Sequence, residues 1–118
     1  MAVGDDRKEE WLHGIQEIIE AYAEAKAERV YLEHFRKSKK AMLMSQAEEE
    51  DPQRYKSAAA QEVYAYQHPE YQILLDGLKA ATETEERLRW RLKQREWKFE
   101  QYRTECANAR TERSRYGV

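Results

Sequence analysis

The amino-acid sequence predicts an all-α protein, a long antiparallel helical hairpin of coiled-coil type with a short connecting helix. Three observations support this prediction. The 118 residues include only 4 Gly and 2 Pro, so turns are few and elements are long. Charged residues make up 37% of the chain, a share typical of surface-rich helices. The 8 Tyr and 3 Trp argue against disorder. We expect one helical domain over residues 1–118.

The first helix is predicted over residues 5–50, where strong helix formers dominate. Asp5 and Asp6 suit its first turn, because negative charge there complements the helix dipole. A run of four acids followed by Pro52 ends it, since acids disfavour a helix C-terminus and proline cannot continue the helix.

The apolar face of this helix should contact a partner helix along most of its length, because a helix this long depends on packing for its stability. Ile19, Val30 and Ala41 are 11 residues apart, a spacing that drifts little on a straight helix. The predicted face comprises Trp11, Ile15, Ile18, Ile19, Tyr22, Ala23, Ala27, Val30, Tyr31, His34, Phe35, Ser38, Ala41 and Met42.

A short connecting helix is predicted over residues 54–67, which have an Ala-rich centre. His68 and Pro69 interrupt it, because a residue before proline avoids helical geometry while proline suits a first helical turn. The last helix is therefore predicted over residues 69–112, with residues 113–118 as a frayed tail.

The last helix carries a heptad pattern, with seam residues at alternating spacings of four and three. The seam comprises Leu74, Leu78, Ala81, Glu85, Leu88, Leu92, Arg95, Phe99, Tyr102 and Cys106. Glu85 and Arg95 are charged, and polar seam residues usually fix the register or the partner of a coiled coil.

Charge favours the antiparallel arrangement. Net charge is −5 over residues 1–51, −3 over residues 52–86 and +6 over residues 87–118. The acidic start of the first helix would lie beside the basic end of the last helix. The basic cluster Arg36, Lys37, Lys39 and Lys40 would lie beside Glu83, Glu85 and Glu86.

Trp90 and Trp97 are seven residues apart and lie outside the seam, so they form a second apolar stripe, with Leu75 and Thr82 nearby on the same side. A two-helix hairpin cannot cover two stripes on one helix. We therefore expect a homo-oligomer, most simply a dimer that forms a four-helix bundle.

Basic and aromatic residues interleave on the last helix and suggest contact with single-stranded DNA, since cations neutralise phosphates and rings stack on unpaired bases. The candidate residues are Arg36, Lys37, Lys39, Lys40, Arg87, Arg89, Trp90, Arg91, Lys93, Trp97 and Lys98, and the same interleaved pattern includes Arg95, Tyr102 and Arg103. The alternative is that the acids of the first helix pair with this charge within the molecule or between subunits.

Protein docking is a further interpretation of the exposed aromatic residues. Tyr55, Tyr64 and Tyr66 would lie at the tip of the hairpin near Arg and Lys, a composition common at protein interfaces. The uncovered stripe of Trp90 and Trp97 is another candidate for protein interaction. Local packing of the short helix would explain the tyrosines equally well.

Catalytic and metal-binding sets are not predicted. His13, His34 and His68 are scattered, and the Glu10–His13 spacing of di-iron bundles has no second copy. The single cysteine, Cys106, cannot form an internal disulfide and suits a buried position. We expect no enzyme activity, cofactor, metal or small-molecule substrate. No apolar signal core or membrane-length run is present, so we expect a cytoplasmic location without a membrane partner.

Four short segments together resemble a family of small helical proteins encoded by tailed phages and prophages. They are residues 25–33 (AKAERVYLE), 36–41 (RKSKKA), 57–61 (SAAAQ) and 68–71 (HPEY). The resemblance covers residues 20–110. It implies a phage accessory protein of the bacterial cytoplasm, often encoded near recombination and replication genes. It assigns no binding residues.

Two functions follow as hypotheses. The first is a non-enzymatic phage accessory protein that assists DNA recombination or replication by contacting single-stranded DNA or a recombination protein. The second is a self-assembling coiled coil or protein-binding adaptor without a nucleic-acid role.

Overall fold

The computed structural model describes residues 3–116, and the side chains from Asp6 onward. The chain forms three helices in the order α1 (Val3–Glu50), α2 (Ala58–Gln67) and α3 (Pro69–Tyr116). No strand occurs between residues 3 and 116. The all-α prediction is confirmed. The side chain of Asp5, expected to complement the first turn of α1, lies outside the described residues.

Helix α2 begins at Ala58, so the prediction that it starts at residue 54 was wrong. Ser57 has extended backbone angles (φ −94°, ψ 153°) and its Oγ accepts a hydrogen bond from the Ala60 N–H. Ser57 is therefore the N-cap, as expected for a serine before an alanine run. Before it, the Asp51 carboxylate accepts a hydrogen bond from the Arg54 N–H at 3.1 Å and stabilises the turn after α1.

Helix α3 ends later than predicted. His68 is extended (ψ 134°) and α3 begins at Pro69, as expected for an X-Pro pair. The helix then continues to Tyr116, so residues 113–116 are helical, and the prediction that they fray was wrong. Arg113 and Arg115 lie in the last turn, where positive charge complements the dipole. Residues 117 and 118 lie outside the described residues.

The described residues divide into two compact units. Unit 1 combines residues 3–22 of α1 with residues 86–116 of α3, and unit 2 comprises residues 23–85. Each unit contains one segment of α1 and one segment of α3, and the two are described separately.

Unit 2 has a small core where the three helices meet. Leu43 of α1, Ala65 of α2 and Tyr71 of α3 form its buried cluster, and Met44 and Leu75 pack against it. Leu43 is the largest side chain that is fully buried in the described residues. Here α2 covers the end of α1 and the beginning of α3.

Two ion pairs show that α1 and α3 run antiparallel in unit 2. Arg29 pairs with Glu85, and ten residues further along α1 Lys39 Nζ lies 2.6 Å from Glu70 Oε2. The partner moves backwards along α3 as the residue number rises on α1. The hairpin prediction is confirmed for this unit.

The predicted register of the hairpin was wrong. Lys39 and Lys40 contact Glu70 and Glu62, and not the expected acids at residues 83–86. The reason lies in α2, whose Tyr64 bonds to the last turns of α1 through Gln46 and Glu50. Because α2 occupies the end of α1, α3 starts opposite Leu43 and is displaced by about two turns from a tight hairpin.

Unit 1 is held together mainly by aromatic packing. The rings of Trp11 and Phe99 stack with centroids 4.8 Å apart. Ile18 is the one residue of this unit that is buried, as far as the described residues go. Arg7 precedes Trp11 by one turn on α1, and Tyr102 follows Phe99 on α3. The positive charge of Arg7 acts to lower the pKa of Tyr102, so these two residues lie near each other and the segments are antiparallel here too.

The buried face of α1 follows a heptad pattern that the sequence analysis missed. Residues 25, 29, 32, 36, 39 and 43 are buried or half-buried at alternating spacings of four and three. Three of them are Arg29, Arg36 and Lys39, long charged side chains that are half-buried, as their aliphatic stems allow. The prediction holds for Trp11, Ile15, Ile18, Tyr22, Val30 and Phe35. It was wrong for Ile19, Ala23, Ala27, Tyr31, His34, Ser38, Ala41 and Met42, which are exposed.

The predicted seam of α3 is confirmed from Leu74 to Arg95, where every member is buried or half-buried. Beyond that point it opens, since Phe99 is 37% exposed and Tyr102 is 61% exposed. Glu85, predicted as a polar seam residue, is buried and bonded to Arg29.

Candidate nucleic-acid interface

Trp90 and Trp97 lie on the face of α3 opposite its seam, in unit 1. They are 47% and 60% exposed, and their ring centroids are 6.3 Å apart with the planes tilted by 54°. Their spacing of seven residues corresponds to two helical turns, so the rings stand one above the other. The prediction that a hairpin leaves this stripe uncovered is confirmed for the two tryptophans. It was wrong for Leu75, which packs against the core cluster of unit 2.

Cations surround this tryptophan pair. Lys93 Nζ lies 4.9 Å and Arg89 Cζ 5.6 Å from the centre of the Trp90 ring, within cation–π range. Arg89 also bonds to Glu86 at 3.0 Å on its own helix. Arg87 and Arg91 are exposed on the same stretch of α3. We call the set Arg87, Arg89, Trp90, Arg91, Lys93 and Trp97 the outer face.

No acid of α1 among the residues with described side chains forms an ion pair with this outer face. The ion pairs found among the described residues of unit 1 join neighbours on one helix: His13 with Glu17, Arg89 with Glu86, and Arg103 with Glu100. The three ion pairs that join two helices are all in unit 2. The alternative that helix 1 supplies a matching acidic rim is therefore not realised as direct pairs between residues 6–22 and 86–116.

A second basic surface of unit 1 is a groove between the start of α1 and the end of α3. It is open, with a volume of about 1090 Å³. Aromatic rings of Trp11, Phe99 and Tyr102 form part of its wall. Its cations are Arg7, Lys8, Arg95, Lys98, Arg103 and Arg110, against the single acid Glu100. Such a groove attracts polyanions and offers rings on which bases can stack.

Tyr102 and Cys106 lie one turn apart in this basic groove. A hydrogen bond to the Cys106 sulfur raises the pKa of the Tyr102 phenol, and Arg7 opposes that shift. Cys106 is half-buried and unpaired with another cysteine.

The predicted basic cluster of α1 lies in unit 2 and is partly engaged. Lys39 pairs with Glu70, and this contact lowers the pKa of Glu70. Lys40 Nζ lies 3.2 Å from Glu62 Oε1. Arg36 and Lys37 line a small pocket instead.

The tyrosines proposed for protein docking take part in packing around α2. Tyr55 and Tyr64 meet edge to face with centroids 5.1 Å apart. Tyr64 donates a hydrogen bond to Glu50, and partial burial raises the pKa of its phenol. Tyr66 contacts Tyr71 and is still 42% exposed. Docking at these residues stays a prediction.

The groove contains residues that sequence reasoning did not assign to binding: Arg7, Lys8, Trp11, Phe99, Cys106 and Arg110. Arg95, Tyr102 and Arg103, which belong to the predicted basic and aromatic pattern of the last helix, line the groove as well. The pairing of Arg7 and Lys8 with Trp11 one turn later was a usable signal. Lys98, which the sequence did nominate, lines the groove and not the outer face.

Other site types were searched within the described part of the chain. Residues 3–116 contain no group of three or more His, Cys, Asp or Glu side chains placed to hold a metal ion. None of the described helices has a stretch both long and apolar enough to cross a bilayer.

Comparisons with protein-family models, with curated proteins and with solved structures found no match to this chain. The resemblance to helical phage proteins therefore remains an expectation from the sequence.

Proposed function

We propose that this chain is a non-enzymatic protein that binds single-stranded nucleic acid through unit 1. The observation that carries the proposal is the exposed pair Trp90 and Trp97, set among cations on a helix face that no other described residue covers. A large exposed apolar patch of this kind marks an interaction surface.

Ring stacking and charge would act together on a strand. Stacking of a base on an aromatic side chain contributes about 1–3 kcal/mol and tolerates any sequence. The surrounding arginines and lysines would neutralise phosphates and release counterions. Bases in a duplex are already stacked and paired, so this surface favours single strands. The groove, with its six cations, extends the basic area along the same unit.

The biological setting in this proposal comes from the resemblance to phage proteins. A strand-binding helical protein of a phage or prophage would assist recombination or replication in the bacterial cytoplasm, alone or with a recombination protein. The basic and aromatic composition of α3 is consistent with that setting.

Fluorescence anisotropy with a labelled oligo-dT strand tests the proposal. We expect binding at low salt that weakens with added salt, and at least about fivefold weaker binding for Trp90→Ala/Trp97→Ala, because the loss of even one stacked base costs about 1–3 kcal/mol. Tyr31→Ala is the matched control, since Tyr31 is 61% exposed but belongs to unit 2. Equal affinities for all three proteins would exclude the outer face.

Self-association is the second candidate function. Leu12 and Ile19 are seven residues apart on α1 in unit 1, and each is half exposed. Together with the tryptophans they would give a second copy of the chain an apolar contact. Sedimentation equilibrium at tens of micromolar decides this candidate: a monomer with an unchanged mass for Trp97→Ala would exclude it.

A further inference from the structure

A small basic pocket in unit 2 is separate from the surfaces of unit 1. It lies where the end of α2 meets α1 and the first turn of α3, and its volume is about 380 Å³. Ligand pockets usually measure about 300–1,000 Å³, so this one suits a single small group and not a continuous strand. Its lining residues are Arg36, Lys37, Lys40, Tyr66 and Tyr71.

Three of the five lining side chains carry positive charge. Lys40 is held by Glu62 at 3.2 Å and lies 4.9 Å from the centre of the Tyr66 ring. Arg36 and Lys37 form no ion pair with any described residue. With Glu62 counted, the pocket has a net charge near +2.

The two tyrosines give the pocket a fixed wall. Tyr71 is 7% exposed and belongs to the core cluster with Leu43 and Ala65, so its ring is held in place. Tyr66 meets it edge to face with centroids 5.4 Å apart. Phenol groups donate hydrogen bonds to oxyanions, and a side chain already immobilised by packing loses little entropy when it binds.

We propose that this pocket binds a terminal phosphate, the monoester group at the end of a nucleic-acid strand or on a mononucleotide. A phosphate monoester carries a charge of about −1.5 to −2 at pH 7 and three acceptor oxygens, which matches the net charge and the donors of the pocket. An internal phosphodiester carries a single charge, so it matches the net charge of the pocket less well than a monoester does. The strand-end form of the proposal rests on the proposed function, whereas the mononucleotide form does not.

A titration with thymidine 5′-monophosphate, followed by NMR chemical shifts of the protein amides, tests the pocket alone. We expect shifts around Arg36 and Tyr71 that saturate, no such shifts with thymidine, and at least about tenfold weaker binding for Arg36→Gln/Lys37→Gln, equivalent to one charge-assisted hydrogen bond. If the double variant failed to fold, Lys37→Gln alone would still test the pocket, because it removes one exposed charge. Lys26→Gln is the matched control, an exposed lysine of α1 in the same unit.

Anisotropy with three strands that carry a 5′-phosphate, a 3′-phosphate or neither tests the strand-end form. Preference for one phosphorylated end, abolished by Arg36→Gln/Lys37→Gln and kept by Trp90→Ala/Trp97→Ala, supports it. If no strand binds but the mononucleotide does, the proposed function is excluded and the phosphate-binding role of the pocket is supported. Equal binding of thymidine and its monophosphate, or binding that survives in the Arg36→Gln/Lys37→Gln protein, overturns the pocket.

Discussion

Arg29 on α1 donates two hydrogen bonds to the carboxylate of Glu85 on α3, one from Nε and one from Nη2 at 3.3 Å. Glu85 is 8% exposed, and Arg29 also bonds to Glu33 on its own helix at 2.9 Å. These bonds raise the pKa of Arg29, Glu85 contributing most. The pair is the polar contact in the seam of unit 2, and it joins residues 56 positions apart.

Breaking this pair on one side should destabilise unit 2 more than removing both partners. Arg29→Met leaves the Glu85 carboxylate buried without its partner, so we expect the Tm to fall by at least about 5 °C. Arg29→Met/Glu85→Leu replaces both charges with apolar groups and should recover most of that loss. Thermal unfolding followed by circular dichroism measures both. A double variant less stable than Arg29→Met would contradict this account of the seam.

Leu43 should be the most sensitive position of the unit 2 core. It is 1% exposed, so Leu43→Ala leaves a cavity and should lower the free energy of unfolding by about 2–5 kcal/mol. Met42→Ala is the control, because Met42 is 56% exposed and should change stability by no more than about 0.5 kcal/mol. Urea unfolding gives both values. Equal effects would mean that α1 buries the face first predicted from its sequence.

The Lys39–Glu70 pair predicts a pH dependence of stability. Lys39 lowers the pKa of Glu70 in the folded state, so the unfolded chain binds a proton more readily. The stabilisation is therefore fully present above the usual glutamate pKa of about 4.3 and is lost as pH falls through the lowered value. The Tm difference between wild type and Glu70→Gln should shrink as the pH is lowered from 6 towards 3. Glu105→Gln, an exposed glutamate without such a partner in the described residues, should show no comparable trend.

Local stability should differ between the two units. Unit 1 has one buried residue among those described, Ile18, and relies on the stacked rings of Trp11 and Phe99. Amides with few buried contacts exchange through local opening, so hydrogen exchange should be faster in residues 6–22 and 98–116 than around Leu43. Trp11→Ala should accelerate exchange in unit 1 alone. Uniform protection along α1 and α3 would show that the chain opens as one cooperative element.

The sequence predicted α3 better than α1, and the residues show why. The seam of α3 from Leu74 to Leu92 is aliphatic at every position but Glu85, so its heptad pattern is plain. On α1 the seam includes Arg29, Arg36 and Lys39. Because these side chains are charged, the sequence suggests that their positions are exposed, whereas all three are half-buried. Alanines on the opposite side then gave a false apolar face.

The groove of unit 1 could not be predicted from sequence, because it depends on the register of the two helices. Trp11 and Phe99 are 88 residues apart in the chain and meet only because α2 displaces α3 along α1. The outer face needed no such knowledge, since Trp90 and Trp97 share one helix. The start of α2 was marked by Ser57 before three alanines, a capping signal that was not used.

The salt dependence of single-strand binding tests the central claim most directly. We predict that the logarithm of the association constant for oligo-dT falls linearly with the logarithm of salt concentration with a slope steeper than about −2, corresponding to three or more phosphates neutralised at about −0.7 each. Arg87→Gln/Arg91→Gln should flatten that slope while Lys26→Gln leaves it unchanged. No detectable binding at low salt, or binding with no salt dependence, would contradict the claim that unit 1 holds a nucleic-acid strand.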